Sequence, residues 1–153
     1  MKKGIYSPPH TYSEWTDILS MLKMQADDET VLEAMKQGTI EWQTGIAERF
    51  TKRLADAINF RMNQATDKFQ KEMGHARGQE RVIVQALLAL RRELCFLTRV
   101  MDIPAIPEKE RPRYIQLVIS QANSIQNSLE DSAKSDRSGK LLNIVRNNRV
   151  NEF

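Results

Sequence analysis

The sequence predicts an all-α protein, and three observations carry that prediction. Glycine and proline are sparse, six and five in 153 residues, and they cluster near the N-terminus and at 38–45, 74–78 and 104–112. The stretches between them hold no strong helix breaker. Apolar residues in those stretches recur at steps of three and four, the period of one helix face. In the last two long stretches the steps alternate as heptads. With 41% hydrophobic and 28% charged residues, the chain has the size and balance of one domain with its own core.

Residues 1–10, with Pro8–Pro9, read as an extended arm. Thr11 and Glu14 then stand in capping-box spacing ahead of Trp15, Ile18, Leu19 and Leu22, which predicts a short amphipathic helix. Thr30 and Glu33 repeat the start signal around Val31, Leu32 and Met35, and Gly38 is expected to stop that helix in a left-handed conformation. Beyond it, Ile46, Phe50, Leu54, Ala57, Ile58, Met62, Ala65, Phe69 and Met73 keep one face apolar through many turns. A helix unbroken from Thr39 to Met73 would run about 52 Å, longer than most single domains are wide. A bend or break is therefore expected near Asn59–Thr66, where Asn63, Gln64 and Thr66 are polar.

The segment from Gln79 to about Asp102 is the most apolar. Ile83, Leu87, Leu90, Leu94, Leu97 and Met101 form a heptad seam, widened by Val82, Ala86, Leu88, Ala89 and Phe96. Such a helix is central and meets neighbours on more than one side. After a Pro-containing turn at Asp102–Pro107, a last long helix carries a second seam of Ile115, Val118, Ala122, Ile125 and Leu129. Matching seams on consecutive helices pair antiparallel, and their remaining faces suit a symmetry mate in a four-helix bundle. The expected homodimer interface is Leu94, Leu97, Met101, Val118, Ile125 and Leu129. Ser128–Lys140 is polar and turn-rich, so the layout reads as an arm at 1–10, a helical domain at 11–133 and a linker-like basic tail at 134–153.

Composition narrows the function. One cysteine, Cys95, rules out an intrachain disulfide and a cysteine-cluster zinc site, and His10 and His75 are too few for a histidine-based metal centre. No apolar run approaches the roughly 20 residues of a bilayer span. Met1–Lys2–Lys3 leads into no signal-peptide core, so a cytoplasmic protein is expected. The net charge of +3 is matched by residues 134–153 alone, where Lys134, Arg137, Lys140, Arg146 and Arg149 stand against Asp136 and Glu152. A solvated, frayed segment accounts for that excess, and no nucleic-acid partner is expected because no single helix face is basic.

The usual catalytic signatures are missing: there is no Gly-rich phosphate loop, His-Glu-x-x-His, nucleophile elbow or Cys-x-x-Cys. The expectation is a protein that is not an enzyme, with neither catalytic residues nor a metal. Cys95 reads as a small core residue, and His75 as an exposed or capping group in a turn at 74–78. The acidic pairs Asp27–Asp28 and Glu130–Asp131 read as helix-end groups. More informative are Arg49, Arg53, Arg91 and Arg92, placed beside large apolar residues on helices with one buried face. Arginine in that setting can hold an anion or carboxylate, since its charge never titrates and its donors match carboxylate geometry; surface pairing with Glu48 and Glu93 is the plainer reading. Phe50, Leu54, Ile58, Met62, Phe69, Leu87 and Leu90 can likewise be solid core or the lining of an apolar ligand tunnel.

Four segments together resemble a known family: Gly38-Thr-Ile-Glu-Trp42-Gln-Thr-Gly45-Ile-Ala-Glu-Arg49-Phe50, Ala86-Leu-Leu-Ala-Leu-Arg91-Arg92-Glu93-Leu94, Ile103-Pro-Ala-Ile-Pro107 and Leu129-Glu-Asp-Ser-Ala-Lys-Ser-Asp-Arg137-Ser-Gly139. Over about residues 38–148 the chain is similar to the haem-less, globin-like sensor domains of sporulation in spore-forming bacilli. The likeness rests on overall pattern rather than on a diagnostic motif. It implies a globin-like helical fold dimerising through its last two long helices, and a fatty acid in an apolar tunnel with a halide, chloride, nearby. It implies no haem, and a haem globin would need a proximal histidine facing the pocket. Its members stand in front of sporulation sensor histidine kinases or occur free and inhibit sporulation. This chain shows no phospho-accepting histidine or ATP-binding region after Arg149–Val150, so the resemblance implies a stand-alone module. The alternative expectation is a helical adaptor or chaperone that binds a partner protein and no small molecule.

Overall fold

The structure, a computed structural model, describes residues 6–25, 27–40 and 45–153, apart from the side chain of residue 47. Residues 1–5 of the expected arm, and 41–44 with Trp42 in the first resembling segment, lie outside the described residues. Among those described, the chain is all-helical, with six helices and no strand. They are α1 (Tyr12–Met24), α2 (Asp28–Gln37), α3 (Ile46–Ala76), α4 (Glu80–Met101), α5 (Arg111–Ala133) and α6 (Lys140–Asn147). The chain divides into two compact units. One is built from Met1–Arg61 with Val100–Pro112, the other from Met62–Arg99 with Arg113–Phe153.

In the first unit, α1 begins with the expected capping box: Glu14 N–H donates to Thr11 Oγ1 at 3.1 Å, and Thr11 N–H donates back to Glu14 Oε1 at 3.0 Å. Backbone N–H groups of His10 and Thr11 hold the Glu14 carboxyl below its ordinary pKa. Trp15, Ile18, Leu19 and Leu22 are the buried face of α1, as their spacing predicts. Trp15 is the anchor: its ring meets Phe50 edge-on at 5.0 Å, and its indole N–H donates to the Thr39 carbonyl at 2.7 Å. The start of α2 differs from expectation. Its N-cap is Asp27, which accepts from Thr30 N–H at 3.4 Å, so Thr30 is the third helical residue rather than the cap.

Gly38 stops α2, but in an extended conformation (φ −76°, ψ 160°) rather than a left-handed one. Space, not torsion, selects glycine here. A Cβ on residue 38 would lie 2.7 Å from Trp15 Cζ2 and 2.8 Å from the Pro9 carbonyl oxygen. The chain passes close because Thr39 N–H donates to Pro9 O at 2.9 Å, and His10 Nδ1 lies 2.8 Å from Thr39 Oγ1.

The expected break near Asn59–Thr66 does not occur. α3 is one 31-residue helix from Ile46, about 46 Å long by its rise per residue. Asn63 and Gln64 are exposed, and Thr66 turns its hydroxyl back to the Met62 and Asn63 carbonyls at 3.1 and 3.0 Å. These residues thus lie off the apolar stripe, whose period continues through Met62 and Phe69, both buried. The helix also runs past Gly74 to Ala76, so His75 sits exposed in its last turn and not in a loop; the reversal comes at Arg77 and Gly78, both at positive φ.

In the second unit every seam residue of α4 from Ile83 to Leu97 is buried. The buried line of α5 runs through Val118, Ala122, Gln126 and Ala133, so it is rotated from the expected seam: Ile115, Ile125 and Leu129 are only half-buried. The segment expected as a tail is built into this unit. α6 buries Ile144 and Val145, and Val150 beyond it is fully buried. Gln126 secures that end. Its side-chain oxygen accepts from Val150 N–H at 3.0 Å, and its amide nitrogen lies 3.2 Å from Glu130 Oε2 and 3.4 Å from the Val145 carbonyl. Glu130 also pairs with Arg146 (3.0 Å) and Arg149 (3.8 Å), and Asp131 with Lys134 (3.3 Å), so three of the tail's five cations pair with carboxylates of α5. The approach to α6 is held by Asp136, whose carboxylate accepts from Leu141 N–H and from Ser138.

Candidate functional site

The seven residues proposed to line a tunnel are all buried, and they belong to two cores. Phe50, Leu54 and Ile58 lie in the first unit, and Met62, Phe69, Leu87 and Leu90 in the second. The four candidate anion-binding arginines are not gathered into one site. Arg49 and Arg92 are exposed. Arg53 is exposed too, with its Nε donating to the Tyr12 hydroxyl at 2.9 Å and its guanidinium carbon 6.0 Å from the Tyr12 ring centre. Arg91 alone is half-buried, on α4 between Leu90 and the exposed Arg92, and it makes no ion pair or hydrogen bond with a described residue.

Of the six residues expected at a dimer interface, Leu94, Leu97, Met101 and Val118 are buried within the chain itself. A second copy cannot reach them in this conformation. Ile125 and Leu129 keep partial exposure, and Leu117 of α5 is 49% exposed.

Among the described residues, the first unit carries at least two surface cavities. One of about 140 Å³ is lined by Thr16, Leu19, Ser20 and Lys23 of α1 and Arg53, Asp56 and Ala57 of α3. The other, of about 510 Å³, lies along α2 beside Tyr6, Glu29, Thr30, Glu33, Ala34 and Gln37. Neither draws on the seven tunnel candidates. No group of three or more His, Cys, Asp or Glu side chains among the described residues is placed to hold a metal ion.

The acidic pairs have structural partners. Asp27 caps α2, and Asp28 forms a two-point ion pair with Arg61. The Arg146 hydrogen bond, then that of Gln126, holds the Glu130 carboxyl below its ordinary pKa, and the Leu141 N–H does the same for Asp136. Depressed carboxyl pKa values stabilise the charged form and suit anchoring, not proton transfer near neutrality. Cys95 is half-buried on α4.

Two buried polar residues escaped the sequence reading. Arg61 and Gln126 are both fully buried. The signal was their position: Arg61 follows Leu54, Ala57 and Ile58 on the apolar stripe of α3, and Gln126 stands four residues after Ala122 on that of α5. A polar residue at a core period marks a buried hydrogen-bond hub, because burial without partners costs too much to be tolerated.

No family model, characterised protein or solved structure matches this chain. The class defined by the fold is therefore an all-helical protein with no helix long and apolar enough to cross a membrane among the described residues.

Proposed function

We propose that this chain is a non-catalytic sensor module of the haem-less, globin-like kind its sequence resembles. It binds a fatty acid and modulates a sporulation sensor histidine kinase in the cytoplasm. The observation that carries the reading is Arg91, half-buried and without a partner among the described residues, on the helix that also buries Leu87 and Leu90. A guanidinium drawn partly out of water gains from an anion, and a carboxylate fits its paired donors. The acyl chain would lie among Met62, Phe69, Leu87 and Leu90, apolar residues of the same unit as Arg91. Each buried methylene contributes about 0.8 kcal/mol. A halide is the smaller anion that the same arginine accepts. The homodimer of this reading uses α5, where Ile125, Leu129 and Leu117 retain exposure. Ligand then acts by linkage: the module lowers the ligand available to the kinase, or changes the kinase's state by binding one conformation better than another.

The test is mass spectrometry of an organic extract of the gel-filtered protein, with the oligomeric mass taken in the same run. A stoichiometric fatty acid on a dimer, weakened by Arg91→Ala, supports the proposal. No lipid extracted and none taken up when offered overturns it. Met24 and Phe60, 74% and 40% exposed on the first unit, favour the second reading, a helical adaptor that binds a partner protein without a small molecule. Lipid-free monomer that retains a protein partner would select it.

A further inference from the structure

The smaller cavity of the first unit has a charge arrangement that needs explaining. Lys23, Arg53 and Asp56 all line it, and none forms an ion pair with another or with any other described residue. Both cations are instead steadied by aromatic rings: the Lys23 ammonium lies 4.7 Å from the Phe60 ring centre, and Arg53 is tied by Nε to the Tyr12 hydroxyl. These contacts leave the two terminal nitrogens of Arg53 and the donors of Lys23 free for an acceptor. The hydroxyls on the α1 wall have the opposite character. Thr16 donates to the Tyr12 carbonyl at 3.0 Å and Ser20 to the Thr16 carbonyl at 3.1 Å, so each offers only lone pairs to a ligand. Together with the Asp56 carboxylate they give the same cavity three acceptors beside its two cationic donors, each helix contributing groups of both kinds.

We propose that this cavity binds a small zwitterion, an α-amino acid, with its carboxylate at Arg53 and Lys23 and its ammonium at Asp56, Thr16 and Ser20. A simple anion would leave Asp56 opposed to it, and a simple cation would leave two cations opposed; a zwitterion satisfies all three charges. The cavity holds about 140 Å³ and opens to solvent, close to the volume of roughly 150 Å³ that takes a benzene molecule of six heavy atoms, so it seats the six heavy atoms of alanine, the smallest chiral amino acid. Buried Leu19 and Ala57 supply an apolar floor for a methyl-sized group. No lining residue is shared with the surroundings of Arg91, so this site stands or falls apart from the acyl-chain reading.

The experiment is a titration of the full chain, followed by amide proton–nitrogen spectra, with L-alanine, acetate and methylammonium. L-alanine is expected to shift amides of residues 16–23 and 53–57, with acetate and methylammonium each binding at least about tenfold more weakly, the equivalent of one lost charged contact. Asp56→Asn, an exposed change that leaves the fold intact, is expected to weaken L-alanine about tenfold while leaving acetate unaffected or tighter. Acetate binding as well as L-alanine, or an Asp56→Asn protein that binds L-alanine unchanged, overturns the zwitterion in favour of a plain anion. Absence of shifts with all three compounds overturns the site.

Discussion

Arg61 and Asp28 meet through two parallel hydrogen bonds of 2.9 and 2.8 Å, the arginine wholly buried and the aspartate 34% exposed. The same guanidinium donates to the Leu22 carbonyl at 3.2 Å, so one side chain of α3 holds the end of α1 and the start of α2. Asp28→Asn leaves a buried cation with a neutral partner. The expected cost is about 3 kcal/mol, read from urea unfolding. The double variant Asp28→Asn with Arg61→Met should recover much of that loss, since the buried charge itself is then gone.

Gly38→Ala is expected to destabilise by about 1–3 kcal/mol through overpacking against Trp15 and the Pro9 carbonyl, at a backbone conformation that alanine tolerates. Gly139→Ala is the contrasting case. Nothing lies within 4 Å of its would-be Cβ, yet its φ of +74° is left-handed, so its smaller cost of about 1 kcal/mol is torsional. Thermal unfolding of both variants, with crystal or NMR structures of each, separates a moved Trp15 ring from a strained turn.

Gln126→Leu removes the acceptor for Val150 N–H and the donor to Val145. A loss of about 1–3 kcal/mol is expected, concentrated at one end of the chain. Hydrogen exchange should speed up at residues 144–150 while the amides of α1 and α2 keep their protection.

Glu130 makes the second unit acid-sensitive. Its pKa is depressed in the folded state by Arg146 and Gln126, so its stabilising contribution is complete above the ordinary glutamate value and disappears as pH falls through the depressed one. The fall in melting temperature between neutral and acid pH should therefore be shallower in Glu130→Gln than in the parent protein. An unchanged slope would show that the pairing with Arg146 and Arg149 contributes nothing measurable.

Much of this architecture was legible in the residues. The Thr11–Glu14 box, the α4 seam from Ile83 to Met101 and the Pro-containing turn before α5 are local patterns, and local patterns set helix ends and faces. In the Asn59–Thr66 stretch polarity signals a break and a wet helix face alike, and Asn63 and Gln64 occupy the wet side of a continuous helix. Gly38 misled because glycine signals both left-handed torsion and close approach, and only the position of Trp15 tells which. The site was less legible. Arg53 and Arg91 look alike in sequence, yet one is held by Tyr12 across 41 residues and the other has no such contact. Those differences come from residues distant in the chain, which no local period encodes.

The division of the chain into interleaved units bears on how the protein can be made and cut. The first unit takes Val100–Pro112 from beyond the first 38 residues of the second, Met62–Arg99. On the ribosome, neither can be completed in the order in which its residues emerge: the first waits for Pro112, and by then much of the second has already been synthesised. No single continuous fragment reproduces either one alone. A stop codon before residue 100 is thus expected to yield a product that fails as a whole, and gene-fragment screens should recover soluble protein only from inserts that span both.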